Sequence, residues 1–399
     1  MLRRLILVLL SSCGTGCSTG SPATVGDGTG IEVPPGVQEV FDVGHRLVAA
    51  ADGGYYIGGQ RNFTLNLDTG ESNRDILVVR YNEVLATQWQ KTLGAGGWDL
   101  DTMLVPATDG GVLVCGVLGA NLLDMQSTGD AVLYRLTSDG VTVLDRAIGF
   151  EGGDRCTAVR ESEGGYEMIF STEGSETQGW QAGTYLLELD AQAAITKSTQ
   201  LFAGNAFEVR SALYLSDGGW LLVGTKTEGG STLMLMLWRF SADAQFLWGK
   251  SLPGYNLDVS YRSVVETGDG GLVFTGARYA QSPGPLVMFF ERWDADGSVV
   301  WTRDLDPGLS GVCLALATAP NGDFVGAGSF EDTNGIGAAV RVDPEGNLVW
   351  TREILEGEGT FINGLLPEGD DFVISGMTWS EATLWELWIG RMDGDGYLR

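Results

Sequence analysis

The chain has 399 residues, 44% of them hydrophobic, and a formal net charge of −28 from 52 acidic against 24 basic side chains. That sign argues against nucleic acid and anionic membrane surfaces as partners, and for a soluble surface that resists aggregation. A single histidine, His45, excludes a multi-histidine metal site, and five cysteines, at 13, 17, 115, 156 and 313, are too sparse for a disulfide framework.

Met1-Leu2-Arg3-Arg4 leads into Leu5-Ile6-Leu7-Val8-Leu9-Leu10 and then small residues, the layout of a secretory signal over residues 1–12. The apolar run is too short to span a bilayer. It closes in Leu10-Ser11-Ser12-Cys13, which resembles a bacterial lipobox, and the resemblance implies lipidation at Cys13. Cys17 follows Gly14-Thr15-Gly16, a poorer match because the position three before it is not apolar. Residues 13–30 then comprise the lipidated cysteine and a tether, since Ser18 to Gly30 is rich in Gly, Ser, Thr and Pro without an apolar period.

From residue 31 the chain repeats itself at a period of about 50 residues. Asp109-Gly110-Gly111-Val112-Leu113-Val114-Cys115-Gly116 returns as Asp217 to Gly224 and as Asp269 to Gly276. Anchored on the closing glycine, the copies sit at Gly59, Gly116, Phe170 (which breaks the pattern), Gly224, Gly276, Gly328 and Gly376. Each copy reads as four short strands joined by glycine turns, an antiparallel meander. In the fifth copy these are Arg262–Thr267, the run after Asp269-Gly270-Gly271, Leu286–Trp293 and Ser298–Arg303. Seven four-stranded units around an axis make an all-β, seven-bladed β-propeller over residues 31–399.

The ends of the chain predict how the ring closes. Trp89, Trp248, Trp301 and Trp350 in the fourth strands lie 19 to 21 residues before the next turn, and the seventh copy stops at Arg399, where its own tryptophan would fall. Counting back 20 residues from Asp52 reaches Glu32, so Gly30-Ile31-Glu32-Val33-Pro34 is expected to complete the last blade as an outer edge strand.

Residues that recur in every copy serve the blade. Arg80, Arg135, Arg239, Arg292, Arg341 and Arg391 end the third strands, with Glu188 the exception, and are expected to bridge a carboxylate or carbonyl of the adjacent blade. Lys91, Arg146, Lys250, Arg303 and Arg352 recur two residues after the tryptophan position, and the tryptophans are expected to pack between blades. Cys115, Cys156 and Cys313 fall in apolar strands as small buried hydrophobes; a Cys115–Cys156 bridge is compatible with this placement but not required by it.

Ser241-Ala242-Asp243-Ala244-Gln245-Phe246-Leu247-Trp248 resembles the Asp-box turn of sialidases, with Gln245 in place of its glycine, and such boxes are structural turns. Val342 to Trp350 resembles the quinoprotein-like propellers, a group that includes the outer-membrane assembly lipoprotein of the barrel-insertion machinery. The longer tryptophan-docking motif and cofactor contacts of the quinoprotein enzymes are not matched, so no cofactor is expected. The whole of residues 31–399 is similar to exported bacterial repeat proteins of the Asp-Gly-Gly … Val-Val-Trp type, many of them lipoproteins.

Function is then expected on the face that carries the unrepeated loops. Its candidate ligand-binding residues are Trp98, Asp99, Asp101, Asp154, Trp180, Tyr255, Asp258 and Trp379, beside Glu151, Phe207 and Tyr279. The long loop from Arg61 to Arg74 offers oxygens for calcium but lacks EF-hand spacing and reads as a solvated loop, so no metal is expected. The expectation is a monomeric, non-catalytic binding or scaffold module, lipid-anchored at a bacterial outer membrane or cell surface, that takes a protein or carbohydrate. The alternatives are a glycoside hydrolase or lyase with a carboxylate pair in the central depression, and a purely structural envelope protein. Carboxylates converging at the axial ends of the first strands, about 5–10 Å apart, distinguish the enzyme; a plain apolar channel excludes it.

Overall fold

The computed structural model describes residues 43–65, 72–94, 98–120, 129–204, 207–228, 232–252, 263–279, 286–305, 311–330, 335–356, 359–380 and 384–399. They form an all-β ring of seven antiparallel blades. Blade 1 comprises Val43–Ala49, Tyr55–Leu65, Ser72–Tyr81 and Thr87–Leu93; blade 2 comprises Trp98–Pro106, Val112–Ala120, Asp130–Leu136 and Thr142–Ile148. Blade 3 is Asp154–Ser162, Gly165–Thr172, Gly183–Asp190 and Ile195–Ala203, and blade 4 is Phe207–Tyr214, Trp220–Glu228, Thr232–Phe240 and Phe246–Leu252. Blade 5 is Val264–Glu266, Leu272–Tyr279, Leu286–Trp293 and Val299–Asp304, and blade 6 is Gly311–Thr318, Phe324–Phe330, Ile336–Val342 and Leu348–Ile354. Blade 7 contributes Gly359–Glu368, Asp371–Ser380 and Leu384–Met392; the closing strand expected at Gly30 to Pro34 lies outside the described residues, as do Cys13 and the tether.

The first strands of blades 1 to 4 touch in order, as do those of blades 5 to 7, and the first strand of blade 7 lies against that of blade 1, so the first strands are innermost. Fourth strands lie outermost, and their exposure alternates with period two, as in Thr87–Leu93. Second strands are sandwiched between neighbouring blades and buried on both faces: Val112, Leu113, Val114 and Cys115 are all fully buried. That explains their unbroken apolar runs. Blade 1 seals against blade 7 through Leu47, Tyr55, Ile57, Val79 and Val373, with the Tyr55 hydroxyl donating to Glu368 and Arg391 donating to the Glu83 carbonyl.

The closing glycine has a steric cause. In blades 1, 2, 3, 4, 6 and 7 the pairing of first and second strands slips at the same place, leaving one unpaired residue in the first strand. The glycine sits opposite that bulge, where a Cβ on Gly224, Gly328 or Gly376 would fall 2.1, 1.9 or 1.8 Å from a first-strand carbonyl oxygen. In blade 3 Phe170 holds this position, its ring buried against Phe150 and Trp180.

The repeated arginines bind first within their own blade, where the sequence suggested a neighbour. Arg80 pairs with Asp52 at 2.7 Å, Arg135 with Asp109 at 3.0 Å, Arg292 with Asp269 at 2.7 Å and Arg341 with Asp323 at 2.7 Å, so each clamps the turn that opens its second strand. The reach to the next blade is a second contact: Arg135 to Glu161, Arg292 to the Pro344 carbonyl and Arg341 to the Gly394 carbonyl. The turn is next in space to the end of the third strand because the two flank the same hairpin edge, an adjacency that a linear repeat does not display.

The tryptophans latch successive blades. Trp89, Trp248, Trp301 and Trp350 donate their indole N–H to the carbonyls of Ser138, Ala295, Pro344 and Gly394, each in the third-to-fourth turn of the following blade. The ring lies on the fourth residue of that turn, at Gly140, Gly297, Gly346 and Gly396, where a Cβ would approach it to 2.9, 3.1, 2.9 and 3.0 Å. Lys91 and Arg303 add bonds to the Gly140 and Gly346 carbonyls.

Three seams are built differently. The three non-glycine residues at positive φ among the described residues, Leu85, Ala193 and Ala244, are the corresponding turn residues of blades 1, 3 and 4. Opposite the third-strand Arg135 and Glu188, the tryptophan place of blades 2 and 3 holds Leu144 and Lys197. At the six seams whose outer strand is described, tryptophan and glycine are thus present together or absent together. Where they are absent between blades 2 and 3, Cys115 and Cys156 form a disulfide with their Cα atoms 5.6 Å apart. Between blades 3 and 4, Phe202 packs on Phe207 and Trp238 at 4.9 and 5.0 Å, and Arg160 covers the Tyr214 ring at 3.7 Å.

Candidate functional site

With the repeated side chains consumed by the scaffold, the unrepeated ones stand out at the axial starts of the first strands. Blades 3 and 4 carry the best-defined group. Side chains alternate along Asp154–Ser162, so Asp154 and Cys156 face blade 2, while Arg155 faces blade 4. Arg155 meets Glu208 at 3.9 Å, Arg210 meets the same carboxylate at 3.5 Å, and the Thr225 hydroxyl donates to it at 3.4 Å. All three contacts are longer than the 2.7 Å pairs that clamp the turns, and the three charged side chains keep between a fifth and a quarter of their surface in solvent.

Asp154 is 2% exposed. One carboxylate oxygen accepts from the Phe150 N–H at 2.5 Å, tying down the loop between blades 2 and 3. Burial, reinforced by Asp130 and Glu173, pushes its pKa up to about 6 against the hydrogen bonds from Thr172 and Phe150. Asp99 holds the same register position in blade 2; it is fully buried and accepts from the Gly119 N–H at 2.8 Å. Thr360 does likewise in blade 7, accepting from the Glu356 N–H at 2.8 Å. Asp154 and Thr360 thus cap the loop that enters their blade, whereas Asp99 ties its first strand to the second.

Trp180 stacks on Phe150 at 4.6 Å and meets Tyr185 edge-on at 5.0 Å, beside a hydroxyl-rich loop in which Thr177 donates to Glu151 at 3.0 Å. Asp154 links this aromatic group through Phe150, and its neighbour Arg155 links the Glu208 group. The structure thus joins Asp154 and Trp180, places Asp99 one blade away, and leaves Tyr255 and Asp258 outside the described residues. Trp98 and Asp101 lie in the first strand of blade 2 and Trp379 in the second strand of blade 7; their side chains are not described.

The axial ends thus hold neither a plain apolar channel nor a described carboxylate pair, but a guanidinium–carboxylate group. Arg155, Glu208 and Arg210 escaped the sequence reasoning. Their signal was the bulge: its unpaired residue, Arg210 in blade 4, lies seven positions before the turn aspartate, Asp217, as His45 does before Asp52 and Thr102 before Asp109. Among the described residues no group of three or more His, Cys, Asp or Glu side chains is arranged to hold a metal ion. Two shallow grooves of about 570 and 680 Å³ flank the Asn82–Ala86 turn on the opposite face, where Trp89 and Arg391 make their seam contacts.

No protein-family model matches the sequence, and no curated protein matches it. Solved structures do. A protein of unknown function from Dyadobacter fermentans DSM 18053 aligns with a TM-score of 0.50 at 14% identity, over 90% of this chain and 99% of that one. Puromycin hydrolase aligns at 0.54 and 16% identity over 90% of this chain and 53% of its own, so the chain spans about half of that enzyme. Ulvan lyase, a polysaccharide lyase of a new family, aligns at 0.56 and 9% identity over 89% and 95%. At these identities the likeness establishes the fold alone.

Proposed function

We propose that this propeller is an exported, lipid-anchored binding module of a bacterial envelope, and that it takes its ligand at the axial mouth of the loop face over blades 3 and 4. The observation that carries this reading is the division of labour among side chains. The repeated arginines and tryptophans are spent on turns and seams, whereas Arg155, Glu208, Arg210 and Trp180 are unrepeated, part-exposed and gathered at one end. Export is supported by the signal-like start and by the disulfide, a bond that persists in oxidising compartments. The anchor rests on the lipobox-like Leu10 to Cys13.

Two measurements test it. Mature protein on a resin is offered envelope saccharides and proteins alongside a loop-face variant, Trp180→Ala with Arg210→Ala, and an outer-strand variant, Val143→Ser with Val300→Ser. Retention lost in the loop-face variant alone supports the site; retention lost only in the outer-strand variant refutes it. Labelled palmitate is expected in the wild type and absent from Cys13→Ser, and an unmodified, soluble mature chain disproves the anchor.

A further inference from the structure

We infer that the Asn82–Ala86 turn of blade 1 is a docking site for another polypeptide, and that the partner presents an extended segment in which aliphatic and basic side chains alternate. The site lies on the face opposite the loop mouth and is independent of the ligand placed there. The turn is held as its siblings are. Asn82 Oδ1 accepts from the Val84 N–H at 3.1 Å and the Ala86 N–H at 2.8 Å, the pair of bonds that Asp294 and Asp343 accept in blades 5 and 6. The next three residues break with the repeat. Glu83 stands where the other blades have Ser138, Ala191, Ala242, Ala295, Pro344 and Gly394. Val84 stands where they have Asp139, Gln192, Asp243, Asp296, Glu345 and Asp395, and at 76% it is the most exposed large apolar side chain among the described residues. Leu85 stands where they have glycine or alanine, and takes φ of 61° with a branched side chain packed against the core that seals blade 1 to blade 7. Six blades fold with small or polar residues at these places, so the blade itself does not require the three. A strained leucine that pins the turn while a valine is turned out to water is the kind of local cost that collects at binding sites.

The surroundings select the partner. Grooves of about 570 and 680 Å³ flank the turn, and Glu83 and Val84 line both. Two hollows divided by a projecting valine suit successive side chains of one extended chain better than a single small molecule. The guanidiniums that line them are already paired, Arg80 with Asp52 and Arg391 with Glu368. The Glu83 carboxylate is exposed and makes no hydrogen bond or ion pair among the described residues, and Asp139, exposed in the second groove, accepts from the uncharged Thr137 hydroxyl. The charge left unpaired at the turn is thus negative, which calls for lysine or arginine in the partner. Val84 and the Ala49, Ala50 and Pro367 wall of the first groove call for aliphatic residues between them. A second copy of this chain, at a net charge of −28, and an anionic membrane both carry the wrong sign.

The experiment is fluorescence anisotropy of the purified protein with a labelled peptide of alternating valine and lysine, and with its analogues that carry serine or glutamate in place of lysine. The lysine peptide is expected to bind and to weaken with added salt, and the glutamate peptide not to bind. Val84→Gln and Glu83→Ala each install a residue that a sibling blade carries at that place, so thermal melting is expected to be unchanged. Affinity for the lysine peptide is expected to fall about ten-fold in Val84→Gln and about three-fold in Glu83→Ala, while Val300→Ser, at an exposed valine of blade 5, leaves it unaltered. If the lysine peptide binds the double variant as well as the wild type, its binding is general attraction to an acidic chain and the site is overturned. The same follows if no peptide binds, or if the serine peptide binds as tightly as the lysine peptide. Co-sedimentation with phosphatidylglycerol vesicles that is lost in Val84→Gln replaces the polypeptide by a membrane, and dimerisation lost in the same variant replaces it by a second copy; either result overturns the proposal. The loop-face reading is judged separately by its own retention assay.

Discussion

Replacing Gly346 by alanine probes the seam logic most directly. Gly346 has φ of 82°, and a Cβ there would lie 2.9 Å from the Trp301 ring and 3.0 Å from Arg303 Cγ. The left-handed backbone disfavours alanine by about 1–2 kcal/mol, offset by about 0.4–1 kcal/mol from a stiffer unfolded chain. Moving the ring aside also weakens the bonds from Trp301 to Pro344 at 3.0 Å and from Arg303 to Gly346 at 3.1 Å, each worth about 1 kcal/mol. The expected loss is about 2–4 kcal/mol. Ala193→Gly is the mirror experiment: the same turn at φ 56°, in a seam without tryptophan, is expected to gain up to about 1 kcal/mol. Urea unfolding of both variants, and of Gly346→Ala in a Trp301→Ala background, separates strain from contact; the cycle is expected to show about 1–2 kcal/mol of coupling. If Gly346→Ala is equally damaging with and without Trp301, the latch does not explain the glycine.

Removing the disulfide with Cys115→Ser and Cys156→Ser is expected to lower stability by about 4 kcal/mol from loop closure across a separation of 41 residues, and a reductant should reproduce the shift in the wild type's urea midpoint. Cys313, fully buried with its thiol pushed up to about 12, is expected to resist thiol reagents at pH 8 until the ring unfolds, and immediate labelling contradicts its placement. Asp154 holds its proton more tightly folded than unfolded, so its contribution is fully present below its ordinary value of 3.8 and lost as pH rises through about 6. Asp154→Asn is therefore expected to raise the urea midpoint at pH 7 and to flatten the gain in stability on acidification from pH 6 to pH 4; an unchanged pH profile counts against the buried acid.

Much of the fold was legible because a repeat displays what a blade needs. Strand Leu286–Trp293 was read to the residue, and the tryptophans were rightly placed between blades. The arginine partners were not legible, because Arg80 and Asp52 are apart in sequence and meet only when the second and third strands pair. The bulge was visible only as an unexplained closing glycine. Without it, attention fell on aromatic and acidic loop residues, and Asp99 proved to be buried and bonded to the second strand of its own blade, whereas Arg155 and Arg210 passed as strand residues. Charge in a strand gains meaning from what the neighbouring strand brings to it, and that information is tertiary.

The pairing of tryptophan on one blade with glycine on the next restricts which blades can be neighbours. A blade carries half of each seam, so it is not an interchangeable brick: blade 3 seated after blade 1 would bring Ala193 beneath Trp89, where Gly140 belongs. A seam that mixed the two kinds would leave an indole over a methyl group, or a glycine turn without its ring. The unit that duplicates cleanly therefore runs from the outer strand of one blade to the outer turn of the next. Engineering that inserts or deletes a blade should cut within a blade and leave the seam whole.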